Sequence, residues 1–122
     1  MQQATEEAAA QLVHILKLWH AEKYGAIYDL GTTTTKRIFS REEFISRMLG
    51  QGCRTTCCHT TFELHRADYR SPDLVVVTGK VGFELNGRAR PRFDCSPVVR
   101  SFPMTREEDG WRIDLTRIFL FF

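Results

Sequence analysis

The alternation of apolar and polar residues divides the chain into a helical first half and a β-rich second half. Between residues 3 and 30 an apolar stripe recurs every three or four residues, as on one face of a helix, through Ala8, Leu12, Ile15, Leu16 and Trp19. Gly25 interrupts this stripe. We therefore expect a long helix that ends or bends near Glu22 and Lys23, and a short second helix in the segment YGAIYDL.

The segment GTTTTKRIF, residues 31–39, contains four consecutive threonines, which are weak helix formers. We expect a loop there, with one turn of helix. The next segment, SREEFISRML, begins with Ser40 and Glu43 at the spacing of a capping box, in which each side chain binds the backbone amide of the other residue. This spacing predicts a third helix, which Gly50 or Gly52 ends.

Beyond Gly52 the apolar period changes to two, which is typical of strands. The segments TTFELHRADYR and LVVVTGKVGFEL predict two strands with a turn at SPD between them. Asn86 and Gly87 predict a hairpin turn, followed by a third strand from about Arg90 to Met104 and a final strand in WRIDLTRIFLFF. The chain is thus predicted to be one α+β domain, residues 1–122, with three N-terminal helices packed on an antiparallel four-stranded sheet.

The composition argues against several classes of function. Seventeen basic residues are nearly balanced by fifteen acidic ones, so the formal charge of +2 does not indicate a nucleic-acid partner. No apolar run approaches the ~20 residues of a membrane span, which predicts no membrane partner. The polar, acidic N-terminus lacks the features of a signal peptide. We expect a cytoplasmic location, with a periplasmic or secreted one left open if a leader has been removed.

Three stretches resemble the nuclear-transport-factor-2-like superfamily, also called the cystatin-like α+β cone: LWHAEKYGAIYDL, FSREEFISRML and SFPMTREEDGWRIDL. The resemblance implies a strongly curved sheet that wraps around the helices and leaves a pocket between them. It also implies homodimers that pack through the convex sheet face. Members of the superfamily include enzymes such as ketosteroid isomerase, and many others only bind ligands or proteins, so the fold by itself does not assign the chemistry.

The side chains that would line such a pocket share the face of the apolar strand positions, because successive strand residues point to opposite faces. Together with apolar residues of the helices they form an almost wholly apolar set. This set predicts a small hydrophobic ligand and no cofactor. The predicted pocket residues are Trp19, Tyr24, Tyr28, Phe44, Met48, Cys58, Phe62, Val77, Phe83 and Trp111.

An isomerase of this superfamily would need a carboxylate base, a tyrosine and a second acid on the inward face. Alternation places most acidic residues on the outward face or in turns, which leaves Asp94 with Tyr28 as the remaining catalytic candidates. The second acid is missing from this pattern, and the histidines do not converge on an Asp as a dehydratase would require. We therefore assign no catalytic residue. An isomerase-, dehydratase- or cyclase-type enzyme is kept as the alternative to ligand binding.

Three of the four cysteines crowd into GCRTTCCH, residues 52–59. Cys57 and His59 are two apart on a predicted strand and are candidate metal ligands, but the second ligand pair of a structural zinc site is absent. Cys58 is expected to point to the core, where cysteine behaves as a small apolar residue. A disulfide between Cys58 and Cys95 across the sheet is an alternative in an oxidising compartment.

The outward face of the second strand is apolar where contact with solvent is expected. Leu74 and Val76 share this face with Thr78 and Lys80. Exposed apolar strand surface is typical of an interface, and a homodimer packed sheet against sheet would bury it. We predict Leu74, Val76 and Thr78 as the interface of a small homodimeric domain that binds a hydrophobic ligand. A protein-interaction module that binds a peptide is a further alternative.

Overall fold

The computed structural model describes residues 2–56, 62–87, 90 and 95–119. Its first half is helical and its second half consists of antiparallel strands. The helices are α1 (Gln2–His20), α2 (Tyr24–Asp29), α3 (Thr33–Lys36) and α4 (Arg41–Leu49). The strands are β1 (Cys53–Thr55), β2 (Phe62–Ser71), β3 (Leu74–Val81), β4 (Phe83–Leu85), β5 (Val98–Glu107) and β6 (Gly110–Ile113), and a 3-10 helix follows at Leu115–Arg117.

The helices follow the local sequence signals. The predicted break lies between His20, which ends α1, and Tyr24, which begins α2. The predicted capping box of α4 is confirmed: the Ser40 side chain accepts from the Glu43 amide at 3.1 Å, and the Glu43 side chain accepts from the Ser40 amide at 3.2 Å. The turn expected among the threonines forms α3, which gives four helices rather than three. Among the described residues, no helix is both long enough and apolar enough to cross a membrane.

The described strands form two antiparallel sheets rather than the single four-stranded sheet predicted. The larger sheet has the order β2-β3-β5-β6, and the smaller one pairs β1 with β4. The predicted strand LVVVTGKVGFEL is divided at Gly82, because β4 leaves β3 to pair with β1. Residues 88, 89 and 91–94, which follow the predicted turn at Asn86 and Gly87, lie outside the described residues. Among the described residues, Val81 at the end of β3 pairs with Val98 at the start of β5.

The final strand is shorter than predicted. It ends at Ile113, where the Asp114 side chain accepts hydrogen bonds from the amide and the hydroxyl of Thr116, at 2.9 and 2.6 Å. This cap starts the 3-10 helix. The helix is followed by Ile118 and Phe119, which are both buried in the core. Leu115, Ile118 and Phe119 thus pack from a helical turn and the residues after it, which a short apolar run does not distinguish from a strand.

The core lies between α1 and one face of the larger sheet. The helix buries its predicted stripe, Ala8 to Trp19, and contacts all four strands of this sheet. We call the sheet face that packs against α1 the inner face, and the opposite one the outer face. Val75, Val77 and Val81 lie on the inner face and are fully buried, as their alternation predicts.

A disulfide joins Cys53, in β1, to Cys95, which precedes β5. The two cysteines are 42 residues apart in sequence, so the bond ties the smaller sheet to the entry of the larger one. The alternative that paired Cys95 with Cys58 is therefore wrong, and Cys58 lies outside the described residues. The prediction failed because a single long strand was expected here, whereas Cys53 belongs to a separate short strand.

Candidate ligand site

Most of the predicted pocket residues lie together in the core. Trp19, Tyr24, Phe44, Met48, Val77, Phe83 and Trp111 are buried, and Tyr28 and Phe62 are partly buried against them. Ring centroids are 5.4 Å apart for Trp19 and Phe83, and 5.8 Å apart for Tyr28 and Phe44. Cys58 lies outside the described residues. The structure brings the described members into one apolar cluster, and a ligand pocket lined by them stays a prediction.

The hydroxyl of Tyr28 is engaged by the backbone. It lies 2.9 Å from the carbonyl oxygen of Lys36 and 2.7 Å from that of Phe39, and it is the donor to both. A phenol has a single proton to share, so these contacts tie α2 to the turn between α3 and α4. Asp94 lies outside the described residues, as do the candidate metal ligands Cys57 and His59.

The described positions of the inner face carry no carboxylate. Glu63 pairs with Lys80 on the outer face, as predicted, and its carboxylate lies 3.6 Å from His65. Asp114 caps the 3-10 helix. Within the described ranges no three His, Cys, Asp or Glu side chains converge on a metal position, and Cys53 is taken up by the disulfide.

At one end of the inner face, side chains of β2 and β5 are exposed, whereas Val81 of β3 between them is buried. Two rows of paired residues cross the sheet there: Leu64, Gly79 and Arg100 form one row, and Phe62, Val81 and Val98 form the next. Neighbouring rows on one face are about 7 Å apart along the strands. Although both rows continue the buried inner face, Leu64 is 51% exposed and Val98 is 40% exposed. We call Phe62, Leu64, Val98 and Arg100 the open patch.

Gly79 allows the Phe62 ring to lie directly on the sheet. A Cβ atom at this position would lie 2.4 Å from Cζ of Phe62 and 2.5 Å from the carbonyl oxygen of Glu63. The Phe62 ring therefore lies over the backbone of Gly79, between the strands that carry Leu64 and Arg100. This close approach requires glycine, because any side chain at position 79 would meet the Phe62 ring.

Arg100 is the charged member of the open patch. Its Nη2 donates to the carbonyl oxygens of Arg117 and Phe119, at 2.8 and 2.9 Å. A guanidinium has five N–H donors, so the three on Nε and Nη1 have no acceptor among the described residues. No described carboxylate pairs with this side chain. Burial lowers the pKa of Arg100, and the nearby charge of Arg117 lowers it further.

The core contains a polar group without a partner among the described residues. The Trp19 side chain is fully buried, and its Nε1–H has no acceptor in the part of the chain that the structure describes. An unpaired buried donor costs about 1–3 kcal/mol. Trp19 packs against Phe83 of β4, so this donor lies where α1 meets the smaller sheet.

Two shallow grooves lie elsewhere on the surface. One, of about 790 Å³, separates the start of α1 from residues 66–70 of β2, and the other, of about 560 Å³, lies beside Ile38 and the exposed side of α4. No predicted pocket residue lines either groove. Charged side chains line both of them: Arg66, Asp68 and Arg70 in the first, and Glu42, Glu43 and Arg47 in the second.

The predicted dimer interface lies on the outer face. Leu74 and Val76 are partly exposed there, whereas Thr78 is buried and its Oγ1 lies 2.8 Å from Oγ of Ser101. Val99 of β5 pairs with a neighbouring outer position and is 53% exposed. The outer face thus offers a mixed surface of apolar side chains and hydroxyl groups.

Sequence reasoning missed Val98 and Arg100 as site residues. The prolines at 91, 97 and 103 make the alternation of this segment ambiguous, so the face of Arg100 is not evident. Counting back in steps of two from the buried Phe102 and Met104 would have placed Arg100 on the inner face.

No protein-family model matches the sequence, and no curated protein matches it significantly. The resemblance to the nuclear-transport-factor-2-like superfamily therefore stays a prediction from the three stretches quoted above. The structure establishes the coarser class, an α+β fold in which helices pack on an antiparallel sheet.

Proposed function

We propose that this protein is a small ligand-binding domain of the cystatin-like cone type, which takes a hydrophobic ligand against the inner face of its larger sheet. The observation that carries this proposal is the open patch, where Leu64 and Val98 are in register with the core and yet exposed. Apolar side chains that continue a core are unfavourable in water, and a bound apolar molecule would cover them.

Binding is favoured over catalysis because the described inner face lacks a general base. Its sheet positions carry no carboxylate, and the hydroxyl of Tyr28 donates to backbone carbonyl oxygens. An isomerase or dehydratase mechanism needs a base within reach of the proton that it removes. The ligand is accordingly proposed to be bound and released unchanged.

The test measures how 1-decanol affects thermal unfolding. A molecule that binds only the native state raises the melting temperature as its concentration increases. We expect this rise in the wild-type protein and its loss in Leu64→Glu, which places a charge in the open patch. Leu85→Glu is the matched control, because Leu85 is 64% exposed but lies in the smaller sheet. A wild-type melting temperature that decanol leaves unchanged would refute binding.

We also propose a homodimer that forms through the outer face of the larger sheet. Leu74, Val76 and Val99 give this face apolar area, and a two-fold symmetric interface would bury it on both copies. Sedimentation equilibrium at micromolar concentration should give twice the mass of one chain. Val76→Asp should give a monomer, whereas Val13→Asp, on the exposed side of α1, should not. A monomeric wild-type protein would contradict this interface.

We further propose an oxidising compartment in place of the cytoplasmic one that the N-terminus suggests. Disulfides persist in the periplasm and outside the cell, whereas cytosolic thiols are kept reduced. Alkylation of free thiols in intact cells, followed by mass spectrometry, should leave Cys53 and Cys95 unmodified. Alkylation of both residues would place the protein in a reducing compartment.

A further inference from the structure

We propose that the ligand carries a carboxylate beside its apolar body, and that Arg100 binds this carboxylate. This rests on the proposed binding function, whose ligand class it narrows. Arg100 stands in the same cross-strand row as Leu64, and the Phe62 ring lies between their strands. A ligand that covers Leu64 and Val98 therefore crosses the row in which Arg100 stands, and its polar end can lie beside the guanidinium, whose Cζ is 5.9 Å from the Phe102 ring centroid.

The surroundings of Arg100 leave its charge uncompensated. A charged group removed from water is costly unless an opposite charge pairs with it. Among the described residues Arg100 has no carboxylate partner, and the nearby Arg117 adds repulsion. The bonds to the carbonyl oxygens of Arg117 and Phe119 hold the guanidinium in place without neutralising it. An anion bound beside Arg100 would supply the missing charge.

The neighbouring side chains define the rest of the ligand. Among the described residues no acceptor takes the three N–H groups on Nε and Nη1, and hydrogen bonds between a guanidinium and a carboxylate are short and strong. Phe62, Leu64 and Val98 offer only apolar contact. A molecule with one carboxylate on an aliphatic chain, such as a medium-chain fatty acid, meets both requirements.

Isothermal titration with decanoate and with 1-decanol at neutral pH tests this assignment. The wild-type protein should bind decanoate at least about tenfold more tightly than 1-decanol, because one charge-assisted hydrogen bond contributes about that much affinity. Arg100→Gln should lose this preference and keep its affinity for decanol. Arg106→Gln is the matched control, because Arg106 lies six residues further along the same face of β5, exposed beside Trp111. It should keep the preference.

The outcomes separate the two proposals. Equal affinity of the wild-type protein for both compounds overturns the carboxylate assignment and leaves hydrophobic binding intact, whereas binding of neither compound refutes the binding function. A preference that survives in Arg100→Gln overturns the role of Arg100. If this variant does not fold, the role of Arg100 is tested by the NMR signal of its Nε–H in the wild-type protein. Decanoate should shift this signal more than decanol does. A signal that decanoate does not shift overturns the assignment.

Discussion

Breaking the disulfide between Cys53 and Cys95 should lower the free energy of unfolding by about 4 kcal/mol. The bond links residues that are 42 positions apart. A cross-link stabilises a protein mainly by reducing the entropy of the unfolded chain. The expected stabilisation is about 3 kcal/mol for a loop of 15 residues and about 4.7 kcal/mol for one of 100, and the loop closed here lies between the two. Small domains are stable by only about 5–15 kcal/mol, so reduction should remove between about a quarter and four fifths of the stability.

Urea denaturation of oxidised and reduced protein measures this difference. The comparison is made in Cys57→Ser/Cys58→Ser, so that Cys53 and Cys95 are the only cysteines in the chain. With a slope of about 2 kcal/mol per molar urea, typical of small proteins, reduction should move the midpoint down by about 2 M. Cys95→Ser in the same background should show the low midpoint under both conditions.

Two results would refute this reasoning. A midpoint that moves by less than about 0.5 M on reduction would mean that the bond does not constrain the unfolded chain as its loop length implies. Peptide mapping of the oxidised wild-type protein that links Cys95 to Cys58 would restore the pairing suggested by strand alternation and remove Cys53 from the bond.

Three further changes have defined expectations. Gly79→Ala should destabilise the protein by about 1–3 kcal/mol in urea, because the new Cβ would lie 2.5 Å from a backbone oxygen of β2. Gly50→Ala should have little effect, because its new Cβ would lie 3.5 Å from the nearest such atom, the carbonyl oxygen of Ser46. Equal stability of the two variants would contradict the close approach. Ser40→Ala should cost about 1 kcal/mol by removing the cap of α4, and an unchanged urea midpoint would argue against the capping box. The hydrogen bond from Arg112 lowers the pKa of Asp109, so its stabilising contribution is present at neutral pH and is lost as the pH falls through the folded-state pKa. In an NMR titration Arg112→Gln should raise this pKa toward its ordinary value, and an unmoved pKa would contradict the pairing.

The apolar core was predictable, and the position of Arg100 was not. Trp19, Phe44 and Val77 follow helical or strand periods, so local alternation is enough to place them in the core. Arg100 lies on the inner face only because β5 pairs with β3 in one register, and the prolines before it obscure its alternation. Whether the core encloses a cavity depends on how closely side chains from distant segments pack, which no local pattern determines.

The sequence by itself determined the elements whose stabilising contacts lie within a few residues. The stripe of α1, the capping box at Ser40 and the α+β order all depend on neighbours along the chain. Only the tertiary structure decided which distant segments meet: Cys53 with Cys95, β4 with β1, and Arg100 opposite Gly79. These pairings close long loops, and several alternatives share the same local pattern. The packing of the whole core, rather than any local preference, selects among them.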